Sequence, residues 1–257
     1  MSHERLRRVD ILGCQVSRVD LSGALRELER LLETGSRHQV VCLPVNSILA
    51  ARRDRVFRSI CNGASIALPD GLPVVWASRI LGEPVCGRAA GPDLLLAAAA
   101  LAALRGYTFY LLGGEYGTAE RLAERLTQAN PGLKVVGVYS PPFHERLPPE
   151  INDGIIERIN VAKPDLLWVG LGSPKQDRWI AQNLERLEVR IAIGVGAAFD
   201  MYGGKTGRAP LWMQRSGLEW LFRFLREPRR LFRRYFIDAS LFFPLVILQL
   251  LRRRSPL

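Results

Sequence analysis

The stretch Ala67-Leu68-Pro69-Asp70-Gly71-Leu72 places an acidic residue at the end of a short apolar run, between a proline and a glycine. A strand arriving through Ile66–Leu68 would deliver Asp70 at its carboxyl end, where open α/β sheets bind ligands and hold catalytic groups. Pro-Asp-Gly is also a common turn sequence, because all three residues favour turns. The stretch alone therefore leaves two interpretations of Asp70, a turn residue or a working carboxylate.

Apolar, β-branched runs alternate with segments of helical spacing along most of the chain. The predicted strands are Gln39–Cys42, Ala64–Leu68, Tyr107–Leu112, Lys134–Tyr139, Asp165–Val169 and Val189–Val195. The predicted helices are Leu21–Leu32, Pro92–Leu104, Thr118–Gln128, Glu150–Val161 and Lys175–Leu187. This alternation predicts an α/β fold, with a mostly parallel sheet flanked by helices on both faces.

Charge is distributed unevenly along the 257 residues, which carry a net charge of +11. Residues 204–257 contain 12 lysines and arginines against three acidic residues, whereas residues 1–203 contain 24 against 22. A segment this basic predicts an anionic partner, which can be a phosphate, an acidic lipid or a nucleic acid.

The four cysteines and three histidines are scattered, without the close spacing of a zinc site or a disulfide framework. The first residues lack the apolar core of a signal peptide. We expect a protein of the reducing cytoplasm that holds no metal.

Three glycine-bearing turns follow predicted strands, at Gly113–Gly117, Gly170–Asp177 and Gly194–Asp200. In such turns, bare backbone N–H groups and the positive end of the next helix dipole can hold a phosphate or nucleotide. The first turn is equally consistent with an ordinary strand-to-helix connection, because its spacing departs from Gly-x-Gly-x-x-Gly.

The second and third turns add polar side chains. Lys175 and Gln176 begin the helix after the second turn, and a lysine there is unfavourable unless an anion approaches. Gln176 offers an amide that can recognise sugar hydroxyls or a base edge. Asp200, after the third turn, is either a helix N-cap or a second carboxylate of the site.

Taken in order, these stretches resemble the motifs of the WecG/TagA/CpsF glycosyltransferases, over residues 9–237. The matching motifs are Pro69-Asp70-Gly71, Arg88 with Gly91–Leu94, Gly170–Asp177, Gly194–Asp200, Arg208–Pro210 and Gly217–Arg223.

The resemblance implies an inverting, metal-independent enzyme that needs no cofactor. It implies transfer of a sugar from a UDP-sugar to a polyprenyl-diphosphate-linked saccharide, in cell-surface polysaccharide biosynthesis. The donated sugar is N-acetylmannosamine, its uronic acid or glucose. The implied fold is a modified Rossmann-like domain with a C-terminal appendage, which gives a body of residues 1–203 and an appendage of residues 204–257.

Site residues follow from the same resemblance. Asp70 matches the proposed general base of the family. The matching substrate-binding positions are Arg88, Gln176, Asp200 and Arg208, and those on the UDP diphosphate are Arg223, Arg230 and Arg233. Members usually show Thr-x-Asn near residue 42, where this chain has Cys42-Leu43-Pro44-Val45-Asn46. Either Asn46 replaces that amide or the contact is absent.

The residues are consistent with this chemistry. A carboxylate can deprotonate an acceptor hydroxyl as it attacks the anomeric carbon. The developing charge on the leaving diphosphate needs a metal or fixed cations. No Asp-x-Asp sequence occurs to clamp a metal, whereas the segment Arg223–Arg234 is rich in arginine. Each of these arginines is alternatively part of a solvated or lipid-facing helix.

Beyond this segment, Phe236–Leu251 is strongly apolar but too short in its uninterrupted part to span a bilayer. We expect an interfacial anchor that docks on an anionic membrane surface, with a buried oligomer contact as the alternative. The expected location is the inner face of the cell membrane. Our hypothesis is that the tail folds over the body only at the bilayer and completes the active site there.

Two other classes of protein remain as alternatives. A nucleic-acid-binding protein would explain the basic tail, but no known reader motif occurs, and we expect no nucleic acid partner. A dinucleotide-dependent oxidoreductase would explain the alternating pattern, but the first strand-to-helix turn lacks the Gly-x-Gly-x-x-Gly fingerprint.

Overall fold

The structure is a computed structural model. It describes residues 6–142, 144, 147–204, 210, 212–213, 219–226, 228, 232 and 238–254, without the side chains of residues 219, 220, 223, 239 and 254. The strands are β1 (Arg8–Ile11), β2 (Cys14–Ser17), β3 (His38–Leu43), β4 (Ile66–Pro69), β5 (Thr108–Gly113), β6 (Lys134–Tyr139), β7 (Leu166–Gly170) and β8 (Ile191–Gly194). The helices in the described residues are α1 (Leu21–Leu32), α2 (Val45–Arg53), α3 (Arg55–Gly63), α4 (Leu72–Ile80), α5 (Gly91–Arg105), α6 (Thr118–Ala129), α7 (Pro149–Ala162), α8 (Lys175–Asn183), α9 (Ala198–Tyr202), α10 (Glu219–Arg226) and α11 (Asp238–Arg254).

Six strands form a sheet in the order β4-β3-β8-β7-β5-β6, and β1 pairs with β2 in a separate antiparallel hairpin. The pairs β3–β8, β8–β7, β7–β5 and β5–β6 are parallel. The predicted α/β class, with a parallel sheet flanked by helices, is confirmed. All six strands and all five helices predicted from the alternation are present, with small shifts at their ends.

The β1–β2 hairpin and the helices α2, α3 and α4 were not predicted. The two hairpin strands have four residues each, and the Leu12-Gly13 turn lacks the Asn-Gly signature of a tight hairpin. The three helices have nine residues each, which is shorter than the window over which helical periodicity can be read.

The chain divides into two compact units. The first unit comprises residues 1–21, 42–90 and 208–257, and the second unit comprises residues 22–41 and 91–207. The division into a body of residues 1–203 and an appendage of residues 204–257 concerns function and stays a prediction.

The first unit is built around the β1–β2 hairpin. Val9, Ile11, Cys14 and Val16 are fully buried, and Arg8 donates hydrogen bonds to Asn62 O and Ser65 O at 2.8 and 3.1 Å. These bonds satisfy carbonyl groups at the end of α3 and just beyond it, where a helix has no partners of its own.

Helix α11 also belongs to the first unit. It buries Phe242 and Val246 completely, and Phe243 stacks on Trp76 of α4 with ring centroids 6.5 Å apart. Helix α11 contains Pro244, and no helix in the described part of the chain is long and apolar enough to cross a membrane.

The second unit holds the parallel strands β5, β6, β7 and β8. Leu112, Val169 and Ala192 on the sheet pack with Ile155 and Ile180 from helices α7 and α8. Burial on both faces explains why β5, β7 and β8 appear in the sequence as continuous apolar runs rather than as alternating ones.

Candidate active site

Asp70 follows β4 directly and lies half-buried in the first unit. Gly71 comes next with a φ of 98°, a conformation that favours glycine, and it caps α4. Pro73 lies in the first turn of α4, where a missing N–H costs nothing. The Pro-Asp-Gly sequence therefore forms the turn that joins the end of β4 to the start of α4. This turn places Asp70 beside the positive end of a helix.

Arg88 follows α4 in the sequence, and its backbone returns to the same strand end. The N–H of Ala89, the next residue, donates a hydrogen bond of 3.0 Å to the carbonyl of Pro69, which precedes Asp70. Arg88 and Asp70 thus flank one backbone hydrogen bond, and both side chains are half-buried. The structure brings these two predicted residues together within the first unit.

Asn46 lies in the first turn of α2, three residues after β3 ends. Its side-chain oxygen Oδ1 is buried and has no hydrogen-bond partner among the described residues. A buried polar atom without a partner is costly, and in binding sites such an atom is often completed by a ligand. Its role as the substitute for the family's amide stays a prediction.

Gln176 lies on the first turn of α8 in the second unit and is 3% exposed. Its Oε1 accepts hydrogen bonds from the N–H groups of Gly172 and Gly196, at 3.1 and 2.9 Å. Gln176 therefore ties the loop after β7 to the loop after β8. The structure shows this positioning role, and direct contact with a substrate stays a prediction.

No role was predicted for Asp177, although it lies within a glycine-bearing turn. Its Oδ2 accepts a hydrogen bond from Ser173 Oγ at 2.8 Å, and its backbone oxygen accepts one from Gln39 Nε2 at 2.8 Å. Burial raises the pKa of Asp177 to about 7. Ser173 and Asp177 are four residues apart, the spacing at which side chains meet across one helical turn. This spacing was the signal in the sequence that could have predicted their contact.

Lys175 begins α8, where a cation is unfavourable. Its Nζ donates a hydrogen bond to the carbonyl of His144, and burial lowers the pKa of Lys175. The bond to a carbonyl dipole offsets part of the cost of this placement. The expectation that an anion approaches Lys175 stays a prediction.

Asp200 lies half-buried in the short helix α9. Helix α6 holds the end of α9 in the second unit, because Arg121 Nε donates to Gly203 O at 2.7 Å and Arg125 to Tyr202 O at 2.6 Å. Cations at the last carbonyls of a helix also complement its dipole. The backbone around Asp200 is therefore fixed, and the role of its side chain stays a prediction.

The remaining predicted cations lie at the edge of the described structure or beyond it. Arg208, Arg230 and Arg233 lie outside the described residues, and Arg223 is described only as part of the backbone of α10. Their contacts with a diphosphate stay predictions.

The comparisons with known proteins concern almost the whole chain. The profile of the Glycosyl transferase WecG/TagA/CpsF family matches residues 9–256. The chain therefore belongs to this family of glycosyltransferases, and the resemblance stated from the motifs is confirmed.

Curated relatives carry a more specific name. The N-acetylglucosaminyldiphosphoundecaprenol N-acetyl-beta-D-mannosaminyltransferase of Bacillus subtilis (strain 168) is 28% identical over 181 residues, which are 70% of this chain and 68% of that protein. The protein of the same name from Staphylococcus aureus (strain MRSA252) is 25% identical over 226 residues, which are 87% of each chain.

Proposed function

We propose that this chain transfers N-acetylmannosamine from its UDP-sugar to a polyprenyl-diphosphate-linked saccharide, with inversion and without a metal, in cell-surface polysaccharide synthesis. The names of the two relatives support the acceptor class and favour N-acetylmannosamine among the three sugars that the motifs allow. Membership in a glycosyltransferase family favours this activity over nucleic-acid binding and over a dinucleotide-dependent oxidoreductase.

The observation that carries the proposal is the position of Asp70, between the end of β4 and the start of α4. In the proposed reaction, the Asp70 carboxylate takes the proton of an acceptor hydroxyl as its oxygen attacks the anomeric carbon. The new glycosidic bond forms as the bond between that carbon and the diphosphate oxygen breaks, and UDP leaves. A positioned base of this kind contributes about 10²–10⁴-fold to the rate.

The other residues bind and orient the substrates in this proposal. Arg88 and Asn46 bind substrate in the first unit. The role of Asn46 is supported by its Oδ1 atom, which has no partner among the described residues and can accept a hydrogen bond from a sugar hydroxyl. Gln176 and Asp200 bind substrate in the second unit. Gln176 also holds its two loops in place.

The charge of the departing UDP is stabilised by arginines of the tail in this proposal. Arg223, Arg230 and Arg233 bind the diphosphate, and Arg208 binds substrate, because a guanidinium can donate two parallel hydrogen bonds to phosphate oxygens. The tail docks on the anionic inner surface of the cell membrane, where the lipid-linked acceptor lies.

The test is UDP release from a panel of UDP-sugars, with an N-acetylglucosaminyl-diphosphate lipid acceptor and excess chelator. We expect release with UDP-N-acetylmannosamine to survive the chelator and to fall about 10²–10⁴-fold in Asp70→Asn. The control is Asp54→Asn in the same unit, because Asp54 caps α3 and asparagine caps helices equally well.

Asp54→Asn should release UDP at the wild-type rate. Release that the chelator abolishes would contradict the metal-free mechanism, and full activity in Asp70→Asn would remove Asp70 as the base. Preference for another UDP-sugar would correct the donor and leave the reaction class unchanged.

A further inference from the structure

A cavity of 380 Å³ lies within the first unit, lined by four arginines and one aspartate. Its walls come from the turn between β1 and β2, from α2 and α3, and from the last turns of α11. The lining residues used below are Asp10, Gly13, Arg52, Arg58, Leu248, Arg252 and Arg253. None of the predicted site residues lines this cavity.

Asp10, the acidic residue that lines the cavity, is held in place by neighbouring protein groups. Asp10 Oδ1 accepts hydrogen bonds from Gly13 N at 3.1 Å and from Gln249 Nε2 at 2.8 Å, and Oδ2 accepts one from Gln15 at 3.0 Å. Arg253 donates to Glu83 at 2.7 Å. Arg253 also forms an ion pair of 3.9 Å with Asp10, so both of these acidic groups pair with the same arginine.

Three of the arginines keep their charge available. The side chains of Arg52, Arg58 and Arg252 form no hydrogen bond or ion pair with any other residue that the structure describes. Guanidinium groups that converge without a carboxylate partner repel each other, so this arrangement favours an anion between them.

Gly13 makes room for one of these arginines. A Cβ atom at Gly13 would lie 3.3 Å from both Cδ and Nη1 of Arg58, a tighter contact than most Cβ atoms make. The bare backbone of the turn thus allows the Arg58 side chain to lie against it at the cavity wall.

An apolar stripe on α11 leads to the cavity. Leu241, Ile247, Leu248 and Leu251 are 43, 49, 41 and 57% exposed, and their spacing places them on one side of the helix. Leu248 belongs to both features, because it also lines the cavity. Exposed leucines next to unpaired arginines match a ligand that has both a phosphate and acyl chains.

We propose that this cavity binds the phosphate of an anionic phospholipid headgroup while the α11 stripe enters the acyl region. The inference rests on the proposed function in one respect, since a membrane-bound acceptor gives the enzyme a reason to dock. It adds a site in the first unit, built from the N-terminal hairpin, α2 and α3 as well as from the tail.

The test compares two double variants by co-sedimentation with phosphatidylcholine vesicles, with and without phosphatidylglycerol. Arg52→Gln/Arg58→Gln removes two arginines from the cavity. Arg53→Gln/Arg55→Gln removes two exposed neighbours from the same helices, with the same change in charge. We expect the cavity variant to bind phosphatidylglycerol vesicles about 25-fold more weakly than wild type, since each arginine near an anionic surface contributes about fivefold.

The control variant should lose less than about threefold in the same assay, and plain phosphatidylcholine vesicles should bind all three proteins weakly. Equal losses in the two variants would mean general surface attraction and would overturn the site. Arg252→Gln, on the exposed last turn of α11, repeats the test without altering α2 or α3. Circular dichroism melting checks that each variant is folded.

Soluble glycerol phosphate separates the two possible sources of the anion. Tight binding of glycerol phosphate that only the cavity variant loses, together with unchanged vesicle binding, would assign the cavity to a soluble phosphate and overturn the lipid assignment. Co-sedimentation measures no sugar transfer. A protein that fails the UDP-release test can therefore still pass this one, and the reverse also holds.

Discussion

The carboxyl group of Asp177, in the second unit, lies in surroundings that disfavour its charged form. Asp177 is 1% exposed, and its Oδ1 has no hydrogen-bond partner in the described part of the chain. A carboxylate in such surroundings loses its hydration, which disfavours the charged form and raises the pKa to about 7. The protonation state of Asp177 therefore changes near neutral pH.

We expect Asp177→Asn to remove a pH dependence of stability. The ordinary pKa of an aspartate, 3.8, applies to Asp177 in the unfolded chain, whereas in the fold its pKa is about 7. The protonated carboxyl group therefore contributes fully to the free energy of unfolding below pH 4, and this contribution is lost as the pH rises to 7. Relative to the variant, wild type should lose about 2 kcal/mol of unfolding free energy between pH 5 and pH 7. Urea unfolding at both pH values measures this, and parallel pH curves would contradict the shift.

Gly194→Ala tests the close packing around the same carboxyl group. A Cβ atom at Gly194 would lie 2.6 Å from Asp177 Oδ1 and 2.8 Å from Gln176 Nε2. We expect a loss of about 1–3 kcal/mol in unfolding free energy, since this interior has no room to relax. The control is Gly154→Ala in α7, where nothing lies within 4 Å of the added atom.

Gly154→Ala should instead stabilise the protein by about 0.5 kcal/mol, because alanine favours helices over glycine. Urea unfolding of both variants gives the comparison. Equal effects of the two substitutions would mean that the loops around Gln176 tolerate expansion.

The sequence indicated which residues belong to the candidate site, but it did not indicate the contacts that each of them makes in the fold. Asp70 was predicted because its neighbours in sequence define both a strand end and a turn. The environment of Gln176 was not, because its two partners come from separate loops. Tryptophans show the same limit: Trp168 is fully buried and Trp76 is 48% exposed, and their sequence surroundings do not distinguish the two.

At the scale of elements, the short helix α9 depends on its neighbour α6. A five-residue helix is too short to be stable alone, and Arg121 and Arg125 of α6 bind the carbonyls at its end. The order of α9, and with it the position of Asp200, is therefore a property of the pair of helices.

We expect Arg121→Met to loosen the end of α9 and leave the rest of the second unit intact. Losing one hydrogen bond to a carbonyl costs about 1 kcal/mol, which corresponds to about fivefold faster amide exchange. Hydrogen–deuterium exchange of peptides covering residues 198–204 measures this. Gln128→Met on the same helix is the control, and an equal change there would mean that α6 as a whole was disturbed.

Helices and strands whose apolar residues recur with a clear spacing were predicted. Those whose structure depends on packing against their neighbours were not. Helix α1 has exactly the predicted bounds, because its apolar positions recur with helical spacing over 12 residues. Helix α4 is apolar on nearly every side and has a proline in its first turn, so its sequence carries no period. Its helical state follows from the turn at Gly71 and from its neighbours in the first unit.

At the scale of the whole molecule, the basic C-terminal region combines a predicted role in binding anions with a structural role that the sequence did not indicate. The predicted roles concern anions, whereas the structure shows that α11 also completes the core of the first unit with Phe242 and Val246. A truncation would remove both roles at once. Substitution of single arginines is therefore the cleaner test of diphosphate binding.

We expect Phe242→Ala to destabilise the protein by about 3–5 kcal/mol, the usual cost of emptying a buried aromatic site. Leu251→Ala, on the exposed side of the same helix, should change the unfolding free energy by less than about 0.5 kcal/mol. Urea unfolding of both variants measures the difference. A mild effect of Phe242→Ala would mean that α11 is dispensable for the fold of the first unit.

The hydrogen bonds of Gln249 have a consequence for the order of folding during synthesis. Gln249 donates to Asp10 and accepts from the N–H of Leu12, so these bonds join positions 239 and 237 residues apart. The β1–β2 hairpin leaves the ribosome more than 200 residues before its partner helix, so it must wait for that helix until Gln249 has been translated. The second unit ends at residue 207, and we expect it to fold while the first unit is still incomplete.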